Sequence, residues 1–300
     1  MKKHLFYIIL LGFSQYLAAQ SPWTRAKKAG FVQLNSNYIR ANAQFNDSSK
    51  VIETPYTVTD IHVSLYADYG ITDRLTIALD VPFKILTNTG GEAVPISIRN
   101  LIGGNGEDFA PQQPNPNLAA GSQTRLGGVG VTAKYRIIQS PLVVSAQLRG
   151  DIPTRGRFET TDNTGLNTNE PAYKITPSLL FGGGSDRVFG AGEIGFAYRP
   201  TFYNDFIANA QIGVSFLQKR LYIIIPVQYR QALNGGNSWS EGIYTGLYAP
   251  RQSYFALGLK GFYNITSHVG VSAYMFGATS GRNVAAAPSF GIGVHYKWGE

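Results

Sequence analysis

Three features of the chain predict an all-β fold, a closed antiparallel up-and-down transmembrane β-barrel of twelve strands. Apolar and polar residues alternate at period two from residue 30 almost to the C-terminus. The alternating segments are about ten residues long, the length a tilted strand needs to cross a bilayer. The connections between them are alternately short and long, as in barrels of the bacterial outer membrane.

Composition agrees with this class. Only 15% of residues are charged, with 26 Lys+Arg against 18 Asp+Glu, whereas soluble domains average ~25%. The chain has no cysteine, which removes disulfides, zinc–thiolate sites, iron–sulfur clusters and thiol catalysis. After residue 20 the longest apolar run is Leu221 to Val227. A membrane helix needs ~20 such residues, so none is expected.

The chain opens with an address. Lys2 and Lys3 form a positive region, Leu5 to Phe13 an apolar one, and Ala18-Ala19 a small-residue cleavage site before Gln20. Residues 1–19 therefore read as a secretory signal peptide, and 20–300 as a single barrel domain. No cysteine follows the apolar region, which excludes a lipid anchor of the lipoprotein kind.

Strands are predicted at 30–41, 58–69, 75–85, 125–137, 142–152, 172–181, 188–199, 205–217, 221–231, 253–263, 268–276 and 289–298. The second and third show the pattern most clearly. Ile61, Val63, Leu65, Ala67 and Tyr69 alternate with Asp60, His62, Ser64, Tyr66 and Asp68. After Gly70-Ile71-Thr72-Asp73-Arg74, alternation resumes with Leu75, Ile77, Leu79, Val81 and Phe83, so the pair is a hairpin. Short connections fall at 70–74, 138–141, 182–187, 218–220 and 264–267, and six longer ones lie between. Both termini then fall on one side, expected to be periplasmic. Pro82, Pro177 and Pro226 lie inside strands, where a closed sheet has no free edge, so each marks a bulge or a strand end.

A secreted β-sandwich would also alternate, with its polar face toward water. That face would carry many Lys and Glu, but here it carries Gly, Ser, Thr, Asn and Gln with scattered charges. Aromatic residues such as Tyr69, Tyr135, Phe216, Tyr229 and Tyr296 gather near strand ends, as the two girdles of a membrane barrel require.

The stretch Tyr66-Ala67-Asp68-Tyr69-Gly70-Ile71-Thr72-Asp73-Arg74-Leu75 through Asp80-Val81-Pro82-Phe83 resembles a family of outer-membrane barrels. Its members are described as meta-pathway phenol-degradation proteins or simply as transporters. The family shows a strand, a turn of Tyr-Gly, Ile or Leu, Thr, Asp or Asn, Arg or Asn, and Leu or Phe, and then a strand ending in Asp or Glu, an aliphatic residue, Pro, and Tyr or Phe. Gly127-Gly128-Val129-Gly130 and the Gly291 to Tyr296 ending are similar too. The resemblance implies passage of small molecules, hydrophobic or aromatic ones among them, across the outer membrane. One departure is that Trp298 is followed by Gly299-Glu300, whereas such barrels end on an aromatic residue.

With the apolar face toward lipid, the lumen is expected to be lined by Asp60, His62, Asp68, Asp80, Lys134, Arg136, Arg149, Asp151, Glu193, Arg230, Lys260 and His268. Arg40, Lys174, Arg199 and Lys297 share the inward phase too, so nine basic groups stand against five acidic ones, a mild excess that would favour anionic solutes if the lumen is wet. The same groups could instead form a salt-bridged network that holds a narrow barrel together. His62, His268 and His295 lie on three strands without the paired spacing of metal ligands, and no metal or other cofactor is expected. No G-x-S-x-G elbow occurs, and no His falls on the lipid-facing set, so no enzyme is expected. Gly182-Gly183-Gly184 and Gly104-Asn105-Gly106 lack the P-loop context and read as turns and loops. Basic residues are dispersed, so nucleic acid is not an expected partner. The expected partners are outer-membrane lipid, a small solute and the outer-membrane assembly machinery. The long 86–124 connection either folds inward as a constriction, with Phe109 and Leu118 to pack, or lies on the surface. The leading functional expectation is a channel or diffusive transporter. The rivals are a structural barrel plugged by its own side chains and, more distantly, a barrel enzyme.

Overall fold

The computed structural model describes residues 21–46, 48–91, 118–154, 166–168, 172–200, 203–233, 247 and 251–299. The leader 1–19 and the 92–117 stretch with Phe109 lie outside them. Among the described residues there are fourteen strands: β1 (Gly30–Phe45), β2 (Val51–Gly70), β3 (Leu75–Asn88), β4 (Gly121–Leu126), β5 (Val129–Ile138), β6 (Val143–Ile152), β7 (Lys174–Gly184), β8 (Val188–Ala197), β9 (Asp205–Phe216), β10 (Leu221–Ala232), β11 (Ser253–Asn264), β12 (Val269–Arg282), β13 (Val284–Ala285) and β14 (Ser289–Trp298).

They make twelve staves. β4 and β5 both pair with β3 and form one stave, broken at Gly127-Gly128. β13 is a two-residue addition against the end of β1. Every neighbouring pair is antiparallel, and β1 closes the ring by pairing with both β2 and β14. Gly30 stands opposite Tyr69 on one side and Trp298 on the other, so the start of β1 and the end of β14 lie at the end of the tight turns. That end is the turn end below; the other is the loop end.

Burial runs opposite to that of a soluble protein. Leu65, Ile77, Leu79, Leu148, Ile194 and Ile292 are exposed, whereas Asp60, Asp68, Lys134, Glu193 and Asp205 are buried. Only a solvent of hydrocarbon makes that arrangement favourable. Two belts of exposed aromatics bound the apolar band. Tyr69, Tyr135, Phe181, Phe216, Tyr263 and Tyr296 ring the turn end, and Tyr38, Phe83, Phe206, Tyr229, Phe255 and Phe290 ring the other side. In register, Leu221 faces Tyr263 and Tyr229 faces Phe255, which sets the belts eight residues apart. Eight residues at ~3.4 Å, tilted by ~35–45°, rise roughly 20 Å, close to the ~25 Å apolar band of such barrels. β2 is 20 residues long and continues past the belt at the loop end.

The strand prolines resolve in two ways. Pro82 faces the Gly127-Gly128 bulge, where Gly127 N–H donates to the Pro82 carbonyl at 2.7 Å. A Cβ on Gly127 would come within 2.9 Å of the proline ring. Pro177 and Pro226 mark neither bulge nor strand end. β7 pairs with β8 at Ser178–Gly195 and again at Ile175–Tyr198, skipping two residues in unchanged register. Pairing of β10 with β11 lapses likewise between Ile224–Lys260 and Val227–Leu257. Each proline keeps full pairing on its other side. Gly182-Gly183-Gly184 is also corrected, since it belongs to β7 rather than to the turn.

Leu79 lies midway between the belts and outside the barrel. Leu79→Arg should cost roughly 2–4 kcal/mol in urea unfolding from phospholipid vesicles, whereas Ile71→Arg, in the turn, should cost ~0–1 kcal/mol.

Candidate channel lumen

The chain ahead of β1 fills the turn end of the barrel. Ser21 to Arg25 are buried inside it. Lys134 Nζ donates to the Ser21 carbonyl at 2.7 Å, and Ser145 Oγ donates to the Pro22 carbonyl. Arg25 N–H donates to Thr76 Oγ1 at 2.8 Å, and the Arg25 guanidinium pairs with Asp68 at 2.7 Å with both side chains buried. Trp23 packs into an apolar cluster with Val143, Phe189, Ala191, Tyr222, Ile224 and Phe262. This half of the wall is apolar on its inner side, so the indole gains burial there.

The turn after β2 is the other half of the cradle. Lys28 N–H donates to the Gly70 carbonyl at 2.8 Å, Thr24 Oγ1 to the Asp73 carbonyl at 2.9 Å, and Lys27 N–H to Asp73 Oδ1 at 2.9 Å. A Cβ on Gly70 would collide with the Ala26 carbonyl. One on Gly182 would lie 2.9 Å from the Pro22 ring. Glycine is required at Gly70 by the close approach of this segment, and at Gly182 by the segment together with the Gly190 carbonyl of the next strand at 2.8 Å.

Above the segment, charges are joined across strands. Arg149 reaches Asp80 at 3.3 Å and Asp151 at 2.8 Å, and Lys174 reaches Asp151 at 3.4 Å. Glu193 accepts from Gln147 at 3.2 Å and from Asn209 at 2.9 Å. Asp205, fully buried, lies between Arg199 at 2.8 Å and Arg230 at 2.6 Å. Asp60 is buried on the inner face of β2; His62, half-buried, stands opposite Lys84. Arg136 lies near the turn-end rim, in the field of Asp73 and Arg74. His268 is not a lumen residue. It sits in the turn before β12, where alternation does not apply, and is exposed, stacked 6.2 Å from Tyr296. His295 is buried between Phe31 and Phe262, so the three histidines stand apart. Among the described residues no three His, Asp or Glu side chains group as metal ligands.

A cavity of about 400 Å³ occupies the middle of the lumen. Phe31, Tyr66, Phe262 and Tyr274 supply rings, and Gln33, Asn35, Asn37, Gln211 and Gln228 supply amides. Lys260 and Asp80 also line it. At the loop end a second apolar cluster joins Ala41, Tyr56, Val58, Leu86 and Ala285 to the loop residues Leu118, Leu166 and Leu247. Leu118, near the end of the 86–124 connection, is therefore packed inward.

The inner ends of these pairs, Arg199 among them, were legible from alternation, but two partners were not. Arg25 precedes the first strand, and Asp205 opens β9. Asp205 is the first residue of the predicted 205–217 strand and shares the phase of its inward residues, so reading that phase to the strand's first residue would have found it.

No protein-family model matches the chain, and no curated protein matches it. Among solved structures it is similar to an outer membrane channel from Pseudomonas putida F1, at 12% identity and TM-score 0.65, over 94% of this chain and 100% of that one. It is also similar to the KdgM porin in complex with oligogalacturonate, at 8% identity and TM-score 0.49, over 89% and 99%. A third is a TodX monoaromatic hydrocarbon channel mutant, at 10% identity and TM-score 0.49, over 95% of each chain. The first likeness assigns the fold, a twelve-stranded barrel of the outer-membrane type.

The natural chain has no cysteine, so Ser21→Cys gives a clean reporter of the segment. Maleimide labelling of that buried site in the folded barrel should be slow. Adding Gly70→Ala should speed it by roughly tenfold or more, because labelling follows the opening equilibrium of the segment. Equal rates would show that Gly70 does not hold it.

Proposed function

We propose that this chain is an outer-membrane channel for passive diffusion of small solutes, with residues 21–29 as a closure at the turn end. The observation that carries the reading is the polar mid-lumen cavity, held between two packed ends. A purely structural barrel has no need of a 400 Å³ space lined by amides and a lysine. In this reading residues 1–19 are a cleaved leader, the turn end faces the periplasm, and the barrel sits in outer-membrane lipid after insertion by the assembly machinery. The resemblance to the phenol-pathway barrels supports a small, partly aromatic solute. No reacting pair is assigned, and the lumenal carboxylates serve as counter-ions rather than as catalysts.

A plugged structural barrel has an observation of its own, the burial of Ser21 to Arg25 across the turn end. The two readings part in planar bilayers. The channel reading expects stepwise conductance, raised by Gly70→Ala. It also expects Arg149→Gln to shift the reversal potential toward cations, since Asp80 and Asp151 then lose their guanidinium. If neither the unmodified protein nor Gly70→Ala conducts, the plugged barrel is the correct reading.

A further inference from the structure

Among the described residues, the Lys260 ammonium in the lumen meets no carboxylate. Arg25, Arg149, Lys174, Arg199 and Arg230 each meet a carboxylate, and Lys134 meets the Ser21 carbonyl. Lys260 makes no hydrogen bond and no ion pair among the described residues. Its Nζ lies 4.6 Å from the centre of the Phe262 ring and 5.9 Å from that of Tyr274. It projects into the 400 Å³ cavity, whose one carboxylate, Asp80, is held by Arg149. A half-buried ammonium with ring faces and no carboxylate beside it is short of a counter-charge.

Asn37 lines the same cavity. Its Oδ1 is turned into the wall, where it accepts no hydrogen bond among the described residues, and it meets a ligand when the side-chain amide rotates toward the cavity. Its backbone lies on β1 and that of Lys260 on β11, so the two line the cavity from different parts of the wall. Between them the rings of Phe31, Phe262 and Tyr274 offer flat apolar surface. The volume falls within the ~300–1,000 Å³ of small-molecule sites.

We propose that this cavity is a binding site for small aromatic carboxylates bearing a hydroxyl group. Lys260 takes the carboxylate, the rings take the aromatic body, and Asn37 accepts from the hydroxyl. The Lys260 contact is charge-assisted and therefore the stronger anchor. The hydroxyl contact sets selectivity, since a buried acceptor left unanswered carries a penalty. As a statement about what passes through, the inference rests on the channel reading; as a statement about binding, it is tested separately.

The test is calorimetry on the purified, folded barrel with 4-hydroxybenzoate, benzoate and neutral benzamide. The unmodified protein should bind 4-hydroxybenzoate, benzoate more weakly, and benzamide least. Lys260→Met should weaken both acids by roughly tenfold or more and leave benzamide unchanged, as loss of one charge-assisted contact requires. Lys260→Arg should retain binding, and Asn37→Leu should remove the preference for 4-hydroxybenzoate over benzoate. Heat-dependent gel mobility reports whether each variant is folded. If Lys260→Met does not fold, the Arg and Leu variants decide. Equal affinity of folded Lys260→Met for the acids, no binding by the unmodified protein, or an unchanged preference in Asn37→Leu overturns the site. A barrel that conducts yet binds no acid keeps the channel reading and loses the site. One that binds yet never conducts keeps the site and loses the channel reading.

Discussion

Lipid offers no partner to a backbone N–H or C=O, so a sheet placed in it must have no edge. That constraint explains why β1 pairs with both β2 and β14. It also explains how the prolines are housed. A proline removes one donor, and in a closed sheet the loss cannot be turned toward water. At Pro82 it faces a double-glycine bulge. At Pro177 and Pro226 one ladder skips two residues while the other continues, which confines the damage to one side without moving the register. A register slip of one residue would carry every leucine of that stave into the lumen.

Closure creates an interior whose charges cannot spread into bulk solvent. They are satisfied across staves instead. Asp205 holds two guanidinium groups, and Asp151 lies between Arg149 and Lys174. Such pairs gain little over an apolar filling, yet losing one partner is costly because the other charge stays buried. They therefore fix which staves face one another and keep the lumen polar without leaving it open. At the turn end the solution differs, because Asp68 draws its partner from ahead of the barrel. Arg25 reaches it only with residues 21–25 inside the barrel, and the apolar patch around Trp23 makes that position favourable.

Much of the barrel was legible because period-two alternation is a local signal. Eleven of the twelve expected segments fall on single strands, and the segment at 125–137 falls on β4 and β5 around their bulge. The facing of Leu65, Leu79, Asp68 and Lys134 followed from the same alternation. What alternation does not reach lies where it stops. His268 has the inward phase but stands in a turn. Residues 21–29 have no periodicity, so the place of residues 21–25 inside the barrel has no sequence signature of its own. The clue was present in another guise. The Tyr69 to Arg74 turn looked like a hairpin signature, yet Gly70 and Asp73 are the residues that receive the segment. A turn of that length could be closed by many sequences, but close backbone approach at its first position requires glycine.

The segment and the cavity are separated by a single layer of rings. Arg25 lies over Phe31 at 4.8 Å, Phe31 stacks on His295 at 5.3 Å, His295 meets Phe262 at 6.0 Å, and Phe262 carries Lys260 at 4.6 Å. The column thus has a cation at each end, and the two ends are not equivalent. Arg25 is neutralised by Asp68 and is part of the folded wall. Lys260, half-buried, has ring faces and no carboxylate, and a ring quadrupole offsets only part of what an ammonium loses on partial withdrawal from water. The wall needs Arg25 in order to close, but nothing in the packing of β11 needs a charge at position 260, where an uncharged side chain of similar length would line the cavity at lower cost. A cation kept at that cost is what the proposed ligand, which brings the opposite charge with it, would account for, and the aromatic layer behind it would set where that ligand's flat face lies.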